Sequence, residues 1–135
     1  MTPEQKALVL NTADAAFASG RFADRFYERL FTEAPETRSM FPDDLSALKL
    51  KFMNTLTSII GAVERPDMFA SILAHLGRQH FRFGVRSVHY RPVGDALLET
   101  LDDILADRST PDVREAWAAL YDEIAARMQE GARAD

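Results

Sequence analysis

The chain has 135 residues, 47% of them hydrophobic, which suits one folded domain around a real core and excludes a disordered chain. Its formal net charge of −5 disfavours non-specific nucleic-acid binding. The absence of cysteine excludes disulfides, thiolate catalysis, Cys-ligated zinc and iron–sulfur clusters. The N-terminus "MTPEQKALVL" lacks the basic and apolar parts of a signal peptide, and no apolar run approaches a membrane span. The expectation is a single domain over residues 1–135, cytoplasmic, with no membrane span.

The pattern is helical almost throughout. Thr2, Pro3 and Gln5 form a capping-box signature for a first helix running to about Ser19–Gly20. "RFADRFYERLFTEA" follows, with Phe22, Phe26, Tyr27, Leu30 and Phe31 at helical spacing. "PETRSMFP" predicts a short helical turn from Pro35 and a corner near Phe41–Pro42. The stretch beginning at Asp43 and Asp44 is a long amphipathic helix, with Leu45, Leu48, Phe52, Leu56, Ile59 and Val63 on one face. After "RPD", Phe69, Leu73, Leu76 and His80 step by four, three and four, and Gly84 ends that segment. Pro92 reads as part of the first turn of the next helix, whose stripe is Val93, Leu97, Leu101 and Ile104. Thr110 and Pro111 then cap a last helix with Val113, Trp117, Leu120, Tyr121, Ile124 and Met128 on one face, Trp117 being read as core. About six long helices plus a short one make the fold class all-α.

All three histidines lie in "HLGRQHFRFGVRSVHY". A helical zinc pair needs spacing of three or four, whereas His75 and His80 are five apart, diverging by about 140°, and His89 lies beyond Gly84. No strand–turn–helix elbow places a serine nucleophile beside them. His80 continues an apolar stripe. It is either a core histidine bonded to a carbonyl or a single axial haem ligand, for which the surplus of Phe and Tyr would build the walls.

"FYERLF" (26–31), Pro35, Phe41, "KFM" (51–53), "GRQHFRFGV" (77–85), "HYRPVGDALL" (89–98) and "AWAALY" (116–121), in this order, resemble the globins. The likeness is to single-domain bacterial haemoglobins and the globin module of flavohaemoglobins, and it spans nearly the whole chain. It implies a globin fold around haem b, with His80 as the proximal iron ligand and Phe41 wedged against the porphyrin. Tyr27 and Leu48 fall at the distal, ligand-facing positions, with Phe52 one turn on. Val85, Tyr90, Val93 and Tyr121 complete the implied cofactor contacts. His89 is either near a haem propionate or exposed, and His75 is a partly exposed helix residue.

Two positions depart from the family pattern. Leu48 has no hydrogen-bonding group, which leaves Tyr27 as the sole evident polar contact for a bound gas. The glutamate that would pair with Tyr90 falls, by register from Trp117, on Ala132, and Glu130 is two residues off. The expectation is an ordinary neutral proximal imidazole whose second nitrogen bonds to a backbone carbonyl or to Tyr90.

The resemblance implies reversible binding of dioxygen, carbon monoxide and nitric oxide at a five-coordinate iron, for oxygen transport or storage. Nitric oxide dioxygenation with an external reductase, and gas sensing through a partner protein, are the alternatives. The chain is thus expected to be a binding protein before an enzyme. Its oligomeric state is not readable.

Overall fold

The computed structural model describes residues 1–133. The helices are α1 (Pro3–Phe17), α2 (Phe22–Glu33), α3 (Ser46–Gly61), α4 (Pro66–Arg82), α5 (Ser87–Leu105) and α6 (Pro111–Arg133). Short 3₁₀ turns stand at Pro35–Met40 and Ala106–Arg108. No strand occurs among the described residues.

The sequence-predicted caps form. Gln5 N–H donates to Thr2 Oγ1 at 3.1 Å and Thr2 N–H to Gln5 Oε1 at 3.0 Å. Val113 N–H donates to Thr110 Oγ1 at 3.3 Å, so α6 starts at Pro111. Several boundaries move, and the third helix closes at Gly61, before the expected Val63. The first helix closes at Phe17, short of the left-handed Gly20 (φ 70°). The third begins at Ser46, whose N–H is taken by the Asp44 carboxylate at 2.9 Å, so the two aspartates precede the helix.

The expected place of Pro92 is corrected. It lies inside α5, five residues past its start. The helix begins early because His89 Nδ1 accepts the Arg86 N–H at 2.9 Å, satisfying a donor at the helix entrance. Pro92 is tolerated one turn later at the cost of a single ladder bond, that to the Val88 carbonyl.

One half of the molecule closes tightly. The core gathers Val9, Leu30, Leu73, Thr100, Trp117 and Leu120, all essentially without exposed surface. Burying each large apolar side chain contributes about 1.5–3 kcal/mol. Trp117 Nε1–H donates to Thr12 Oγ1 at 2.9 Å, and Thr12 donates in turn to Leu8 O at 2.7 Å, which joins α1 to α6. α4 and α6 cross backbone to backbone. A Cβ on Gly77 would stand 1.9 Å from the Met128 carbonyl oxygen, and one on Gly131 would stand 2.5 Å from that of Ala74. Only glycine permits this approach. By contrast α3 touches α4 at few points, and α4 and α5 diverge from their shared corner.

Candidate functional site

His80 sits in the last turn of α4. The stripe it continues opens progressively. Phe69 and Leu73 are buried, Leu76 is half-buried and His80 is exposed. Its Nδ1 lies 2.8 Å from the Leu76 carbonyl. A carbonyl only accepts, so Nδ1 carries the proton and Nε2 keeps its lone pair. Nε2 has no hydrogen-bond partner among the described residues. The protein around the ring depresses its pKa by desolvation; the Leu76 bond opposes this, and the Lys51 charge on α3 lowers it further. The residue as a whole is exposed, while protein near the ring is enough to disfavour its charged form. The imidazole is therefore neutral near pH 7, the form that ligates a metal.

The corner after His80 is fixed locally. Val85 N–H donates back to the His80 carbonyl at 3.0 Å over Gly84, whose φ is 94°. This is a Schellman ending, and it turns half-buried Val85 back beside the histidine. Tyr90 and Val93, also half-buried, follow on α5. The Tyr121 hydroxyl donates to the Tyr90 carbonyl at 2.5 Å, and its ring packs over Gly94. Tyr121 thus holds the start of α5 from behind through backbone.

An aromatic cluster joins α2, the end of the Pro35–Met40 turn and α3. Tyr27 packs edge-on against Phe41 and against Phe52, both at 5.7 Å between centroids. Phe52 stacks on Phe26 at 4.6 Å. Phe41 is held by Phe31 at 5.3 Å and by a backbone clamp from Arg38. Leu45, just before α3, and Leu48 on it are half-buried and offer no polar atom. Tyr27 itself is 5% exposed, and burial pushes its pKa up to about 12. Its hydroxyl has no hydrogen-bond partner among the described residues, and no buried polar atom is left unpaired, so the hydroxyl borders open space.

These side chains suit a flat apolar cofactor bound through one nitrogen. Half-buried Phe41, Leu48, Phe52, Val85 and Val93 present hydrocarbon, His80 presents a single lone pair, and Tyr27 presents a single donor. No group of three or more His, Cys, Asp or Glu side chains that could hold a metal ion occurs among the described residues. No carboxylate bonds to Tyr90 or His80 among the described residues; Glu130 is exposed on α6 and Ala132 fills the register position. A concavity of about 600 Å³ is lined by Phe41 but not by His80, and one of about 110 Å³, beside Val63 and Phe69, is lined by none of these side chains.

The sequence left His89 open between propionate neighbour and exposed residue; its Nδ1 caps α5. The close α4–α6 crossing, which sets how α4 carries His80, was signalled only by glycines inside two helical patterns.

Comparison with known proteins agrees with this geometry. A family model described as Globin matches residues 24–128. The flavohemoprotein of Deinococcus radiodurans is 30% identical over 95% of this chain, which spans about a third (33%) of that relative's length. A bacterial globin from Campylobacter jejuni superposes with a TM-score of 0.85 at 20% identity, over 98% of this chain and 97% of that one. A hexacoordinated heme protein from an anhydrobiotic tardigrade superposes with a TM-score of 0.88 at 18% identity, over 98% and 96%. No helix among the described residues is long and apolar enough to cross a membrane.

Proposed function

The chain belongs to the globin family, and from that premise we propose that it holds haem b on His80 and reversibly binds dioxygen, carbon monoxide and nitric oxide. The observation that carries this is the state of His80: Nδ1 is committed to the Leu76 carbonyl and Nε2 has no hydrogen-bond partner among the described residues. When bound, haem supplies the iron at which a gas binds and through which electrons pass.

The chain's own residues do the rest. The Leu76 carbonyl holds the proton on Nδ1, so His80 presents Nε2 in one tautomer and orientation. Phe41 and Phe52 pack the cofactor face and exclude water. Tyr27, with its proton held to about pH 12, donates to the negative end of a bound gas. One such bond contributes roughly 1–3 kcal/mol in a dry pocket. Leu48 adds no second donor. The lack of a carboxylate on Tyr90 leaves the imidazole neutral, which favours reversible binding over activation of oxygen, and hence storage or transport.

A second reading, nitric oxide dioxygenation to nitrate, is favoured by the likeness to a flavohemoprotein. Its turnover needs electrons from a reductase outside these residues.

The test is haem titration of the apoprotein, followed by dithionite and carbon monoxide. One haem per chain and a Soret band that shifts with carbon monoxide support the proposal. A folded helical protein that takes up no haem refutes it. A six-coordinate ferrous spectrum before gas addition refutes the five-coordinate form only.

A further inference from the structure

Residues 68–94 carry four arginines (Arg78, Arg82, Arg86 and Arg91) and no aspartate or glutamate, in a chain of net charge −5. The remaining residues hold 12 basic against 21 acidic side chains. None of the four arginines is paired with a carboxylate among the described residues. The same segment holds the two most exposed large apolar side chains described, Phe83 at 82% and Val88 at 74%, with exposed Phe81 beside them.

These residues fall in one place. Arg78, Phe81 and Arg82 share a side of the last turns of α4, by spacing of three and four. Val88 and Arg91 share a side of the first turn of α5, and Phe83 stands at the corner between the helices. Arg86 makes the corner rigid. It donates to the Phe81 and Val85 carbonyls, both at 3.0 Å, and lies 3.9 Å from the Phe81 ring centre. An apolar tip held in shape before any partner arrives loses little freedom on binding.

We infer that the α4–α5 corner is the docking surface for an acidic electron-transfer protein. The inference rests on the haem reading of His80, which is the residue before Phe81. Haem held there would need one electron to return from ferric to ferrous, which the donor protein would give up, with no proton moved. Carboxylates around the donor's cofactor edge meet Arg82 and Arg91, and its apolar rim packs on Phe83 and Val88. The acidic remainder of the chain repels the same partner, so charge orients the encounter. A small apolar tip with a charged rim fits a transient contact burying less than about 1,200 Å².

The probe is oxidised flavodoxin, an acidic flavin protein, titrated at low ionic strength into the haem-loaded protein and followed by calorimetry and amide NMR. Saturable binding that perturbs residues 81–91 is expected. It should weaken about tenfold between low and physiological salt. Arg91→Glu and Phe83→Ser should each weaken it by about three- to tenfold, with the carbon monoxide spectrum and helical circular dichroism unchanged. Absence of binding, or binding indifferent to both substitutions, overturns the inference. Retention on phosphatidylglycerol vesicles that Phe83→Ser abolishes, without flavodoxin binding, assigns the surface to lipid and also overturns it. A missing carbon monoxide spectrum is a failure of the haem reading; a normal spectrum without docking is a failure of this inference alone.

Discussion

The closed half of the molecule, where α1, α2, α5, α6 and the buried side of α4 meet, and the proposed haem cleft between α3, the end of α4 and the start of α5 are built from the same residue types to opposite ends. In the closed half, apolar side chains are sealed and polar ones are paired, as with Trp117 on Thr12 and Thr100 on the Ala96 carbonyl. In the cleft, apolar side chains stop half-buried, and His80 Nε2 and the Tyr27 hydroxyl have no hydrogen-bond partner among the described residues. A core that left such surface uncovered would waste hydrophobic stabilisation. On the proposed reading haem would cover these groups, and the difference would separate residues that hold the fold from residues that hold the ligand.

Substitutions on the two sides should therefore differ in kind. Gly77→Ala should have the largest effect. Its methyl group meets the Met128 carbonyl at 1.9 Å, so α4 must lift from α6. Denaturant unfolding should show a loss of about 3 kcal/mol or more, or no stable fold. A near-normal midpoint would mean the crossing is looser than described.

Thr12→Val keeps the shape of the closed half but strands the Trp117 Nε1–H. The expected loss is about 1–3 kcal/mol by the same measurement, with gas binding unchanged. Tyr27→Phe removes a hydroxyl that no protein group bonds, so stability of the apoprotein should move by less than about 0.5 kcal/mol or rise slightly. Its effect should appear in the loaded protein, as a dioxygen off-rate raised about tenfold to a hundredfold. A large stability loss with an unchanged off-rate would place Tyr27 with the closed half instead.

The same burial gives a pH signature. The folded state holds the Tyr27 proton to about pH 12, whereas the unfolded chain releases it near 10. The unfolded state thus sheds the proton first, and stability falls as pH rises from 10 toward 12. Against wild type, Tyr27→Phe should lose less stability over that range. Parallel alkaline curves would contradict the shift.

The sequence carried the order of helices, the cap hydroxyls of Thr2 and Thr110 and the end of α4 at Gly84, because each rests on local spacing and backbone chemistry. His80 stood out by period, though period alone left it between a carbonyl-bonded core histidine and a ligand. The structure shows the carbonyl bond on an exposed rather than a core histidine, with Nε2 free of partners among the described residues; the ligand role is the proposal. What was hidden depends on contacts distant in sequence or on unusual caps. Nothing near Gly77 announces Met128. The entrance of α5 was misplaced because a histidine accepting an N–H is a rarer start than Pro92 in a first turn.

The most direct test is to replace the single proposed bond from chain to iron with a free one. His80→Gly, purified with haem and dithionite, should fail to hold haem stably. Added imidazole should restore a five-coordinate ferrous spectrum that shifts with carbon monoxide. Normal haem content and an unchanged spectrum in His80→Gly without imidazole would contradict the account, because the ligand would then lie elsewhere.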